Sequence, residues 1–169
     1  MTGPEPDEQR ERLFDGPCWV VDFLPRQVPP EAGKRFFPVE RYLMEPPRLE
    51  GLYRRFARLA LKLSCYYGLL AERLPSAGWV NDPAPEELED MIRFCAVGDG
   101  PRGVFLLFPA ENAMLTLDGG DLYMTLYGPG DEFLETVRAL GLSEGLFVRR
   151  CANTAPEPTS AERGLTEGK

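Results

Sequence analysis

The sequence predicts an α+β fold of two layers: a mostly antiparallel sheet of about five to six strands, with about three helices packed mainly on one face. Two observations carry that expectation. Residues 46–63 repeat Leu49, Leu52, Tyr53, Phe56, Leu59, Ala60 and Leu63 at the i, i+3, i+4, i+7 spacing of one buried helix face. Residues 103–127 hold three short strand-like runs in succession, with Gly119-Gly120 between the last two, which marks a hairpin because glycine accepts the positive φ of primed turns.

The elements follow in order. Residues 1–12 are polar and read as a disordered tail. Residues 18–24 (CWVVDFL) are almost continuously apolar, as in a strand covered on both faces, and Pro25 ends them. Residues 36–44 mix aromatic and β-branched side chains and are expected as a second strand, which Pro38 confines to an edge or a strand start. The helix over 46–63 has Pro47 in its first turn, and Gly51 costs it about 1 kcal/mol relative to alanine. Residues 64–74 fit a helical extension or, with Gly68 after Cys65-Tyr66-Tyr67, a new strand. A second helix is expected over 82–95. Asp82 is positioned to cap it, Pro83 takes its first position, Glu86 and Glu87 complement its dipole, and Leu88, Met91, Ile92 and Cys95 form its apolar stripe.

The strands 103–108, 113–118 and 121–127 form a meander. In the last of them Leu122, Met124 and Leu126 face one side and Tyr123, Thr125 and Tyr127 the other, so one face is core and the other at least partly wet. A third helix over 131–140 carries Phe133, Leu134, Val137 and Leu140, with Gly141 suited to a left-handed residue after it. Residues 146–150 are the final strand, and the closing β-β-α-β segment can pack as half of a ferredoxin-like unit. Residues 152–169 read as another disordered tail, which leaves one α+β domain over 13–151.

Composition excludes several function classes. The chain has 169 residues and a net charge of −8, which argues against general binding to nucleic acid or anionic membrane. No apolar run approaches the roughly 20 residues of a membrane-spanning helix. The chain contains no histidine, which removes Ser-His and Cys-His nucleophile pairs, imidazole bases and histidine-ligated metals. Cys18, Cys65, Cys95 and Cys151 lie at no CxxC spacing. With a polar N-terminal stretch, they read as reduced thiols of a cytoplasmic protein, Cys18, Cys65 and Cys95 buried and Cys151 the most reactive. No cofactor and no metal is expected.

The strongest candidate surface is the first helix. Arg48, Arg54, Arg55, Arg58 and Lys62 oppose only Glu50, and Arg48, Arg55 and Lys62 recur every seven residues. Arginine forks suit carboxylate or phosphate, so the functional reading is a docking surface for an acidic partner or a nucleotide phosphate. The plain alternative is a solvated face balanced by the acidic second helix, where Asp82, Glu86, Glu87, Glu89 and Asp90 oppose Arg93. Tyr123, Tyr127, Thr125, Thr116 and Met114 share a sheet face that suits either a partner or a covering helix. Asp118 and Asp121, with Glu111 and Asn112, offer oxygen ligands near two turns, but aspartate is also ordinary turn chemistry and the spacing matches no calcium loop.

Two function classes follow. A small protein-binding or regulatory module that docks an acidic partner is favoured, because no catalytic constellation is present. The alternative is a carboxylate-dependent enzyme using Asp22, Glu40 or Asp121, which requires a deep pocket where acids converge.

Overall fold

A computed structural model describes residues 3–75, 78–97 and 100–151. Among the described residues five α-helices form: α1 (Pro6–Phe14), α2 (Gly33–Leu43), α3 (Pro46–Ser64), α4 (Pro85–Arg93) and α5 (Asp131–Ser143). Seven strands among them form one sheet: β1 (Cys18–Asp22), β2 (Leu70–Leu74), β3 (Val80–Asn81), β4 (Gly103–Phe108), β5 (Ala113–Asp118), β6 (Tyr123–Tyr127) and β7 (Phe147–Arg150). The α+β class stands, while both element counts exceed the expected ones. The sheet order is β3-β2-β4-β5-β6-β1-β7 and every neighbouring pair is antiparallel. Strand β1 thus enters between β6 and β7, so the closing β5-β6-α5-β7 segment wraps it in the split order of a ferredoxin-like unit.

Helix α3 organises the core. Its spacing puts Tyr53, Phe56, Leu59 and Leu63 on one side, and all four are fully buried. That side packs over Leu106, Phe108, Leu115, Leu117, Met124 and Leu126 of the sheet. Helices α4 and α5 pack against α3 on the same face, and α2 also packs against it. Burying each such large apolar side chain contributes about 1.5–3 kcal/mol. The Tyr53 hydroxyl lies 2.9 Å from the Asp121 carbonyl and 3.2 Å from the Asp118 carbonyl, and it accepts from the Gly120 N–H at 2.9 Å. One side chain of α3 therefore fastens the β5–β6 connection. That connection is a four-residue loop, 119–122, rather than the expected two-residue turn, because its carbonyls turn inward to Tyr53.

Residues 3–12 correct the expectation of a tail. Pro6 opens α1, Asp7 and Glu8 fill its first turn, and Leu13 buries against Leu107 and Met114 on the sheet face opposite α3. The docking is mostly polar, which composition cannot show. Gln9 Nε2 donates to the Pro109 carbonyl and to Asn112 Oδ1, both at 3.1 Å. Arg10 pairs with the buried Glu72 at 2.9 Å and stacks over Phe105 and Trp79. The helices therefore do not all lie on one face. The second expected tail, 152–169, lies outside the described residues.

Further corrections have local causes. Residues 36–44 are helical, not a strand: Phe36, Glu40, Leu43 and Met44 hold helical spacing, and Pro38 is accommodated inside α2. Residues 64–74 divide into the end of α3, a turn and β2. Helix α4 starts at Pro85, because Asp82 adopts φ +42° and turns its carboxylate to the Leu69 N–H at 2.9 Å instead of capping. Helix α5 runs through Gly141 to Ser143, and Gly145 at φ +73° is the left-handed residue. Cys18 and Cys151 are disulfide-bonded, with Cα atoms 5.6 Å apart, so they are neither reduced nor reactive. The pairing of β1 with β7 brings them together across 133 residues. Cys95 is a buried thiol as expected, pushed up to about 12 chiefly by burial, whereas Cys65 is exposed.

Tyr53→Phe is expected to lower stability by about 1–3 kcal/mol in urea unfolding, since it orphans the Gly120 N–H and the inward Asp121 carbonyl, while the Asp118 carbonyl keeps the Asp121 N–H. Denatured without reductant, the chain should present two thiols to a thiol reagent, and four after reduction. Four before reduction would contradict the Cys18–Cys151 bond.

Candidate functional site

Antiparallel pairing places Asp22 of β1 directly opposite Tyr123 of β6. Both belong to the sheet face that α1 covers farther along, over β4 and β5. Near Tyr123 that face opens into a cleft of about 620 Å³. The β5–β6 loop forms one wall through Gly120, Asp121 and Leu122, and the end of β1 with its following strap forms another through Phe23, Leu24 and Arg26. Helix α2 supplies the third through Phe36, Phe37 and Glu40.

The three candidate carboxylates, Asp22, Glu40 and Asp121, all line this cleft, although they are distant in sequence. Their environments differ. Asp22 Oδ2 accepts from Arg149 Nη2 at 3.0 Å, and Oδ1 accepts from the Leu24 N–H at 3.3 Å. The buried Nε of Arg149 has no hydrogen-bond partner among the described residues. Among the described residues the side chains of Glu40 and Asp121 have neither a hydrogen-bond nor an ion-pair partner. The Asp121 carboxyl is held above the ordinary carboxylate range by burial first and by the charge of Asp118 second. The Tyr123 hydroxyl is raised in turn, mainly by Asp121 and then by burial.

The basic stripe is not one continuous free surface. Arg48 pairs with Glu45 and lies 3.5 Å over the Tyr42 ring. Arg54 reaches Glu50 at 3.6 Å, and Glu50 itself bridges to Arg93 of α4. That bridge holds the Glu50 carboxyl below its usual range. Lys62 binds Glu144 at 2.6 Å and Ser143 Oγ at 2.8 Å, with Arg58 farther from Glu144 at 4.0 Å. Arg55 lies against Gly145. Balance by α4 thus comes down to one ion pair, in which the sole acid of α3 meets the sole base of α4.

Sequence reasoning missed the basic and apolar surface on α2, because the helix was read as a strand. None of its residues is buried, and Phe37, Val39 and Tyr42 are 62%, 49% and 54% exposed. Lys34, Phe37, Pro38 and Arg41 share its outer side by the i, i+3, i+4, i+7 rule, which was the available signal. Phe37, Pro38, Arg41, Tyr42 and Glu45 line a groove of about 370 Å³ there. Of the sheet tyrosines, Tyr123 opens to the cleft, while Tyr127 is half-buried with its ring 5.1 Å from Phe14 of α1. Met114 is buried beneath Leu13 of α1, and Thr116 is buried as well.

Glu111 and Asn112 stand at the opposite end of β5 from Asp118 and Asp121, about 20 Å away along a six-residue strand. They cannot share one ion. Among the described residues no group of three or more carboxylates or cysteines is placed to hold a metal. No helix among them is long and apolar enough to cross a membrane.

Compared with known proteins, the chain matches no family model, no curated protein and no solved structure. The functional reading therefore rests on the geometry above.

A carboxyl whose folded pKa exceeds its unfolded one holds its proton more tightly in the fold. Its stabilising contribution is complete below the ordinary aspartate value of about 4 and is lost as pH rises through the folded value. Asp121→Asn is accordingly expected to be more stable than the parent near neutral pH and equal to it in acid, as read from urea midpoints across a pH series.

Proposed function

We propose that this protein is a protein-binding module that docks an acidic partner segment on the outer side of α2. One observation carries the reading: α2 buries none of its side chains, and its exposed Phe37 and Tyr42 stand among Lys34, Arg35 and Arg41. Exposed apolar side chains clustered within a charged rim are the usual make-up of an interaction surface. The charge supports an acidic occupant. Residues 33–64 carry eight basic and three acidic side chains, while the rest of the chain carries eleven basic and twenty-four acidic. Among the described residues Lys34, Arg35, Arg41 and Arg55 form no ion pair with a carboxylate, so their charge is available to a partner. Arg48, Arg54 and Lys62 are held by internal acids. The docking surface proposed is thus centred on α2, whereas Arg55 and Arg58 of α3 lie at the end of α5, near Gly145 and Glu144.

The enzyme reading keeps one specific observation, the meeting of Asp22, Glu40 and Asp121 in the cleft. Against it, Asp22 is occupied by Arg149 and the Leu24 N–H.

The test is fluorescence anisotropy with a labelled peptide in which Asp and Glu alternate with Leu and Phe. Saturable binding is expected, weaker at high salt because exposed charges are screened beyond about 10 Å at 0.1 M. Phe37→Ser with Arg41→Glu should weaken it at least about ten-fold, the scale of one lost anchor and one reversed charge. Equal binding by that variant, or by a lysine-containing version of the peptide, would sink the proposal.

A further inference from the structure

The cleft between β1, the β5–β6 loop and α2 is a separate site from the outer side of α2. The two sides of the helix divide by spacing. Lys34, Pro38 and Arg41 point outward, Phe36, Glu40 and Met44 follow the i, i+4, i+8 row that lines the cleft, and Phe37 stands on the border and lines both. Its volume of about 620 Å³ suits a small organic molecule rather than a folded partner.

Charge and wall chemistry narrow the ligand class. Five ionised groups line the cleft: Asp22, Glu40, Asp121, Arg26 and Arg149. Asp22 and Arg149 neutralise each other at 3.0 Å. Of the remaining three, two are carboxylates and one is Arg26, and among the described residues none of them has an ion-pair partner. The cleft therefore carries one uncompensated negative charge. Asp121 is half-buried and lines the cleft with Tyr123, on a loop that Tyr53 fastens at the Asp121 carbonyl and the Gly120 N–H. An unpaired carboxylate held at such a position is costly until a cation reaches it. Around it stand the rings of Phe23, Phe36, Phe37 and Tyr123. Aromatic faces attract a cation through their quadrupole and receive an apolar body by area.

We propose that the cleft binds a small organic monoamine with an apolar, preferably aromatic, body. Its ammonium sits at Asp121 and Tyr123, and its body lies against Phe36 and Leu24. The inference does not rest on docking of an acidic partner at α2, since neither Asp121 nor Tyr123 belongs to that surface.

The test uses the full chain, isotope-labelled, with phenethylamine, its neutral counterpart phenylethanol and the acid phenylpropionate, each followed by amide chemical shifts. Phenethylamine is expected to saturate, with the largest shifts at residues 22–24 and 120–123. Phenylethanol and phenylpropionate should bind at least about ten-fold more weakly, as the loss of one charge-assisted contact implies. Asp121→Asn should weaken phenethylamine to a similar degree while its unliganded spectrum overlays that of the parent. Arg41→Glu should leave it unchanged, which separates this site from the outer side of α2. Tighter binding of phenylpropionate would overturn the proposal, because it would make the orphan Nε of Arg149 or the Arg26 side chain the anchor. No saturation at millimolar amine, shifts confined to the outer side of α2, or undiminished binding by Asp121→Asn would overturn it as well. Should Asp121→Asn fail to fold, the shift map and the three-ligand ranking on the parent protein still decide.

Discussion

Complete burial of Tyr53, Phe56, Leu59 and Leu63 along one side of α3 places that helix against the sheet, and most other features take their positions from this contact. Helices α4 and α5 flank α3, and α2 leans on it. The Tyr53 hydroxyl, pointing from the same side, donates to the Asp121 carbonyl and accepts from the Gly120 N–H of the β5–β6 loop. Its own proton is held above the ordinary tyrosine range, first by burial. The loop in turn places Asp121 at the cleft. A packing contact and a hydrogen-bonded hub on one helix thus link the hydrophobic core to the most chemically distinctive concavity of the molecule.

The sheet adds a second, long-range constraint. Strand β1 pairs with β6 on one side and β7 on the other, so its neighbours come from the far end of the chain. This pairing sets Asp22 beside Tyr123 and turns Arg149 toward Asp22. It also brings Cys18 to Cys151. Such contacts order distant segments at a conformational-entropy cost that only a fully formed sheet offsets. The ion pair adds orientation to the cleft more than stability, since Asp22 and Arg149 are partly withdrawn from water and lose hydration on pairing.

Charge is distributed unevenly for a reason visible in the packing. The acid of α3 and the base of α4 face each other as Glu50 and Arg93, which leaves the remaining charges of each helix turned outward with opposite signs. Lys62 and Arg58 are partly quenched by Glu144 at the end of α5. What remains available concentrates on α2, where apolar side chains are also uncovered. The candidate docking surface and the cleft then flank one short helix, with Phe37 lining both.

The sequence by itself determined the α+β class, the apolar side of α3, the strands Gly103–Phe108 and Ala113–Asp118, and the inward set Leu122, Met124 and Leu126. These features repeat at the period of a helix or a strand, so nearest neighbours along the chain carry the information. It also named Asp22, Glu40 and Asp121 as the acids of interest, without any ground for placing them together. Only the tertiary structure decided that they share a cleft, that Cys18 meets Cys151, and that the polar residues 6–14 form a helix seated by Gln9, Arg10 and Leu13. Pro38 misdirected the reading of α2, because a proline inside a short helix is unfavourable locally and is tolerated only in the context of the whole fold. Each of these decisions depends on partners dozens of residues away, and local periodicity holds no record of such partners.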